Sequence, residues 1–345
     1  MKLFILFSLL VFPIIIISAI RVKRDKAICL LERQETGVLR GISALFIIES
    51  HFLSWAIDMG AEVSKLLQIV IGQLGGIGVL IFFFVSGYGI YESYASNIPS
   101  YDFVKKRLGN VYLPYVFIKL IILIINYFTK RIQYNLCDEL VDVLLINDWF
   151  IAVIMLQYAS FFVLRKLIEN KKRFMVCSLI VDFVLTLVFI FQGKPLRWFN
   201  ALWLFTIGII VAEFKNKIIG YYNTRFISKC IFCFGGFLIN GVIFACYKSE
   251  ILFISVFKII SGFFLAIFIC GILRRITLKS GILSSIGRKS MYYYVVHMNI
   301  WELLSKVYEP DNRIILAFLI TIVAVEILFF LYENIKKIVG NLCKI

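Results

Sequence analysis

Residues 38–55 read VLRGISALFIIESHFLSW. The stretch is apolar enough to cross a bilayer, yet it holds Arg40, Glu49 and His51. Ionisable side chains at membrane depth are costly and mark functional positions by default. If this stretch is a spanning helix, its three polar residues are the first candidates for chemistry.

The rest of the chain supports that reading. It has 345 residues, 61% of them hydrophobic, with 34 Phe and a mean hydropathy of +0.92. Soluble domains are only about half apolar. The expected fold class is therefore an all-α polytopic membrane protein, a single bundle of about 10–11 transmembrane helices. Apolar segments near the required length of about 20 residues fall at 3–20, 38–57, 67–93, 111–128, 149–165, 174–192, 199–214, 229–247, 251–273, 285–305 and 314–335. The two weakest, 199–214 and 285–305, are short or polar enough to be partly re-entrant.

The 37 basic residues against 21 acidic ones leave a net charge of +16. In a soluble protein that excess would suggest nucleic acid, but no RNA- or DNA-binding motif is present and no such partner is expected. Instead 25 of the 37 lie in alternate connections and nine in the others; Arg40, Lys119 and Lys258 fall inside segments. Positive residues favour the cytoplasmic side, so the expected orientation is N-terminus out and C-terminus in. The strong positive charge after residues 3–20 and the poor cleavage site "ISAI" favour a retained helix over a signal peptide. The expected division is an extra N-terminal transmembrane helix with a basic cytoplasmic loop over 1–37, then one membrane domain over 38–345. The eight cysteines suit small buried hydrophobes, including the Cys230–Cys233 CxxC; only Cys137 falls in an outer loop, and Cys29 and Cys343 are placed in the cytoplasm. No metal site is expected.

At 100° per residue, Arg40 and His51 are three turns plus about 20° apart, on one face and roughly 16 Å apart along the axis. Glu49 points about 160–180° away from both. Gly37, Gly41 and Ala44 make the Arg40–His51 face narrow, leaving either an open groove or a close-packing surface. Taken alone, Arg40 could snorkel to cytoplasmic phosphates and His51 could bond a neighbouring helix. The remaining ionisable residues placed at membrane depth are Lys119, Asp182, Lys258, His297 and Glu326, with Glu213 nearer a boundary.

The next stretches are "GQLGGIGVLIFFFVSGYGIYESYA" at 72–95 and "FVKKRLGNVYLPY" at 103–115. Further on come "NDWFIAVIMLQY" at 147–158, "LWLFTIGIIVAEF" at 202–214 and "SIGRKSMYYYVVHMNI" at 285–300. In this order, after an Arg and a His with ten residues between them, they resemble membrane acyltransferase family 3, which includes bacterial O-acetyltransferases of surface polysaccharides. The likeness covers about 38–305. One departure is Asn110, where the basic loop of the family usually has a second Arg.

The resemblance implies transfer of an acyl group, most often acetyl, from cytoplasmic acyl-CoA to a hydroxyl of a surface or extracellular polysaccharide or its lipid-linked precursor, in a bacterial cell membrane. His51 then serves as general base, because imidazole titrates near operating pH. Arg40 serves as the donor-side electrostatic clamp. Lys105, Lys106 and Arg107 suit the phosphates of CoA. His297, Trp149 and Glu49 are the substrate-contact candidates, while Tyr158 and Ser86 read as packing. No tightly bound cofactor is implied; acyl-CoA is a substrate, and the partners are the donor, a carbohydrate acceptor and the bilayer. The rival reading is a polysaccharide or small-molecule transporter or flippase, with Lys119, Asp182, Lys258 and Glu326 along its path.

Overall fold

Lipid offers no partner for backbone N–H and C=O groups, so a chain this apolar must satisfy them within helices. The computed structural model describes residues 11–23, 30–58, 60, 62–94, 97–128, 136–144, 148–246, 251–305 and 313–342. Residues 3–10 of segment 3–20, parts of 129–148, Cys29, Cys343 and the side chain of Cys137 lie outside the described residues. Among the described residues, eight helices are long and apolar enough to cross a membrane, and the chain is an all-α multi-pass membrane protein.

The helices are α1 (Arg33–Asp58), α2 (Lys65–Tyr94), α3 (Tyr101–Arg107), α4 (Leu113–Phe128), α5 (Leu136–Leu144), α6 (Trp149–Leu167) and α7 (Lys171–Phe191). They continue with α8 (Arg197–Asn200), α9 (Leu202–Glu213), α10 (Lys215–Tyr221), α11 (Phe226–Cys246), α12 (Ile251–Ile272), α13 (Gly281–Arg288), α14 (Ser290–Ser305) and α15 (Arg313–Leu342). Two short strands, β1 (Ile20–Val22) and β2 (Ile276–Leu278), pair antiparallel and tie the N-terminal extension to the bundle. Lys23 just after β1 is ion-paired to the buried Glu35 of α1 at 3.0 Å.

Three of the eleven expected segments are not among the eight spans. Segment 3–20 is described only from residue 11 onward; the other two are the weak ones. Segment 199–214 becomes α9, twelve residues long, about 18 Å against a hydrocarbon core of about 30 Å. Segment 285–305 divides at Lys289 into α13 and α14. Both are held by protein rather than lipid. α9 lies between α2 and α7, while α13 and α14 pack along α1. Glycines allow these approaches. A Cβ on Gly41 would stand 2.0 Å from the Leu283 carbonyl oxygen, and one on Gly287 would stand 2.2 Å from that of Gly37. The choice left open for the narrow face of α1 is thereby divided: Gly41 is a close-packing position, whereas a Cβ added at Gly37 would meet nothing within 4 Å.

The stretch 103–115 is helical rather than a loop. It runs from α3 through a π segment at Leu108–Tyr112 into α4. The widened turn comes immediately before Pro114, which has no N–H to give the helix. At the start of α6, the Asp148 carboxylate accepts a hydrogen bond from the Phe150 N–H at 3.1 Å, a side-chain N-cap.

Candidate active site

The central helix α1 carries a face that reads Arg33, Arg40, Ala44, Ile47, His51, each within about 40° of Arg40. Its two ends meet different surroundings.

At the Arg40 end lies a cavity of about 980 Å³. Arg33, Arg40, Lys106 and Arg107 line it, against Glu32 and Glu92. Glu92 is already ion-paired to Lys215 at 2.8 Å, so the wall is net positive. Arg107 is stacked 5.0 Å from the centre of the Tyr158 ring and 5.3 Å from that of Phe103, which fixes its guanidinium plane. The Nε atoms of Arg40 and Arg107 are buried and have no hydrogen-bond partner among the described residues. Two guanidinium groups with unspent donors, opening on one chamber, suit an anionic ligand. Asn110 also lines the chamber, and its Oδ1 accepts a bond of 2.8 Å from Lys336, so α15 delivers a cation to this rim.

At the other end, His51 Nδ1 and His297 Nε2 are 2.9 Å apart, with the two rings nearly parallel at 14°. His297 Nδ1 is 2.7 Å from the Tyr293 carbonyl oxygen one turn earlier in α14. A carbonyl oxygen only accepts, so His297 carries its proton on Nδ1. In the neutral ring its Nε2 is then an acceptor, and His51 must donate from Nδ1. The Nε2 lone pair of His51 is thereby left to act as a base. His297 is 1% exposed, held edge-on by Trp301 at 4.9 Å, and the Trp301 indole N–H bonds Thr321 at 3.1 Å. Both ring nitrogens of His297 are engaged, Nδ1 with the Tyr293 carbonyl and Nε2 with His51.

The other candidates are distributed as follows. Lys106 and Arg107 line the chamber, whereas Lys105 is exposed and is not among the lining residues. Glu49 is buried, on the side of α1 away from the arginine and histidine. Trp149 opens α6 half-buried, edge-on to Phe150 at 5.6 Å. Just before it, burial pushes the Asp148 carboxyl above its ordinary range while Lys119 pulls it down, and the carboxyl accepts a hydrogen bond from the Tyr294 hydroxyl.

Ser86 and Tyr158, which read as packing in the sequence, face the chamber, as does Arg33 from the connection before segment 38–57. Arg33 had a signal: it lies seven residues before Arg40, one near-integral pair of turns. The remaining intramembrane charges are dispersed. Glu326 pairs with Lys289 at 2.6 Å, Asp182 accepts from Gln157 at 2.7 Å, and Lys258 sits over the Phe244 ring at 4.6 Å.

A family model described as an acyltransferase domain matches residues 36–333, most of the chain. No curated protein and no solved structure matches it.

Proposed function

This chain belongs to the acyltransferase domain family, and from that premise we propose that it moves an acyl group from cytoplasmic acyl-CoA to a hydroxyl of a surface or extracellular polysaccharide, or of its lipid-linked precursor. The observation that carries the donor assignment is the basic chamber, where Arg40 and Arg107 hold unpartnered buried Nε atoms beside a cavity of about 980 Å³. CoA is a large polyanion, and its phosphates match that wall. The excess of Lys and Arg in the connections on this side supports a cytoplasmic position for the chamber, in a bacterial cell.

His51 acts as the general base. The acceptor hydroxyl gives its proton to His51 Nε2 as its oxygen attacks the thioester carbonyl. The carbon–sulfur bond then breaks, and the CoA thiolate recovers the proton to leave as the thiol. His297, locked by the Tyr293 carbonyl, keeps the His51 ring in the tautomer this requires. The transporter alternative has less support: Glu326, Asp182 and Lys258 make their contacts in three separate helix pairs rather than along one path.

The test is incubation of the purified protein with acetyl-CoA labelled in the acyl group, following free thiol and label in polysaccharide or lipid-linked glycan. Thiol release coupled to labelled acceptor is expected. A folded protein that neither binds acetyl-CoA nor releases thiol overturns the reading.

A further inference from the structure

An acyl group leaving the chamber for His51 must travel along one face of α1. Ala44 and Ile47 project from that face about 6 and 10 Å beyond Arg40, at 1.5 Å per residue. These two side chains, with Ile48, line a second and much smaller void, bounded on its other sides by the rings of Phe82, Phe150 and Tyr294 and by Ser290. Its volume is about 10 Å³, the space of one water molecule or a methyl group. It lies between the chamber and the histidine pair, because its α1 residues fall between Arg40 and His51 in the same helix.

The wall of this void is stiff. Phe150 is stacked on Tyr294 with ring centres 4.4 Å apart, and Phe82 meets Phe150 at 5.0 Å. The Tyr294 hydroxyl is bonded to the Asp148 carboxyl, and the same carboxyl caps α6 at the Phe150 N–H. Ring and backbone of Phe150 are therefore held from two directions. Interlocked rings adapt to a larger guest less readily than flexible thioether or leucine side chains.

We propose that this ring-walled void is the acyl gauge of the enzyme: it admits a two-carbon acyl group and rejects longer ones, with Ala44, Phe82 and Phe150 as the residues that set the limit. The inference rests on the acyl-transfer reading above and names the size class of its donor. An acetyl group leaves only a methyl to be housed beyond the thioester carbonyl. A butyryl group brings two further methylenes into a space already filled, and overpacking of a rigid wall is unfavourable.

The experiment measures kcat/KM for acetyl-, propionyl- and butyryl-CoA with wild-type protein and with two variants. Wild type should fall by at least about tenfold between acetyl and butyryl, as expected when a tight apolar site must take extra methylenes. Phe82→Ala, at a half-buried position in the wall, should bring butyryl transfer close to acetyl transfer. Ala44→Val, which removes nothing from the core, should slow acetyl transfer by about tenfold or more while leaving acetyl-CoA affinity unchanged. Wild type that uses all three donors equally, or an Ala44→Val protein with undiminished acetyl transfer, overturns the gauge alone. Wild type that uses none of the three overturns the acyl-transfer reading and the gauge with it.

Discussion

Around Arg40 the protein keeps a chamber of about 980 Å³, with cations on long stems at its rim and both Lys106 and Arg33 exposed to solvent. Around His51, roughly 16 Å along the same helix, it instead packs two imidazoles and two indoles into contact, and Trp301 and His297 are almost fully buried. The first arrangement can hold a large, flexible polyanion by charge, with many partial contacts and no single indispensable one. The second fixes one nitrogen lone pair in direction and tautomer. A bulky donor needs capacity, whereas proton transfer needs position. Substitutions at the two ends should therefore fail in different kinetic constants.

The sharpest break is His51→Ala. Losing a positioned base costs about 10²–10⁴ in rate, so acyl transfer should nearly vanish while acetyl-CoA still binds with wild-type affinity. Measuring turnover and donor affinity on the same preparation checks both halves. Equal loss of the two would mean that His51 belongs to the donor site rather than to the chemistry.

His297→Ala comes next, because it acts through another residue. Without its acceptor Nε2, the His51 ring can turn and change tautomer, and a misplacement of about 1 Å can cost about 10²-fold. The loss should appear in kcat with KM unchanged, and His297→Gln, whose amide can still accept from His51, should recover part of it. A merely structural role would instead lower expression and leave the kcat of the folded fraction intact, which size-exclusion profiles and active-fraction measurements separate.

The smallest effects belong to the chamber. Arg40→Lys keeps the charge but loses the planar fork, and the double change Lys106→Gln with Arg107→Gln removes two contacts. Each should raise the KM for acetyl-CoA by about tenfold, and the double variant should also flatten its dependence on salt. Lys105→Gln should change nothing, because Lys105 does not line the cavity. Titrating acetyl-CoA at low and high salt distinguishes these outcomes. An effect of Lys105→Gln equal to that of the double variant would reduce the basic run to a general surface charge.

The reason Lys105 separates from its neighbours also shows how far the sequence could be read. Three consecutive helical residues point 100° apart, so a run of three cations cannot all face one cavity. Reading 103–115 as a loop concealed this, and only the continuous helix from α3 into α4 makes the angular rule apply. Arg33 obeys the same rule, seven residues before Arg40, but it falls in a connection outside segment 38–57. Tyr158 and Ser86 had no local signal, since an aromatic or a small hydroxyl residue in an apolar helix looks the same whether it faces a neighbour or a chamber.

By itself, the sequence determined the class of the protein, the approximate place of its apolar segments, and the common face of Arg40 and His51. Composition is a bulk property, and helical periodicity is a local one that eleven residues are enough to express. Only the tertiary structure decided that His297, 246 residues away in the chain, meets His51 at hydrogen-bonding distance, that Glu326 is matched to Lys289, and that a methyl-sized void separates the chamber from the histidines. Those contacts depend on how closely α13 and α14 settle on α1. Backbone approaches at Gly41 and Gly287, too close to admit a Cβ, decide that packing, and no repeat along a single helix encodes it.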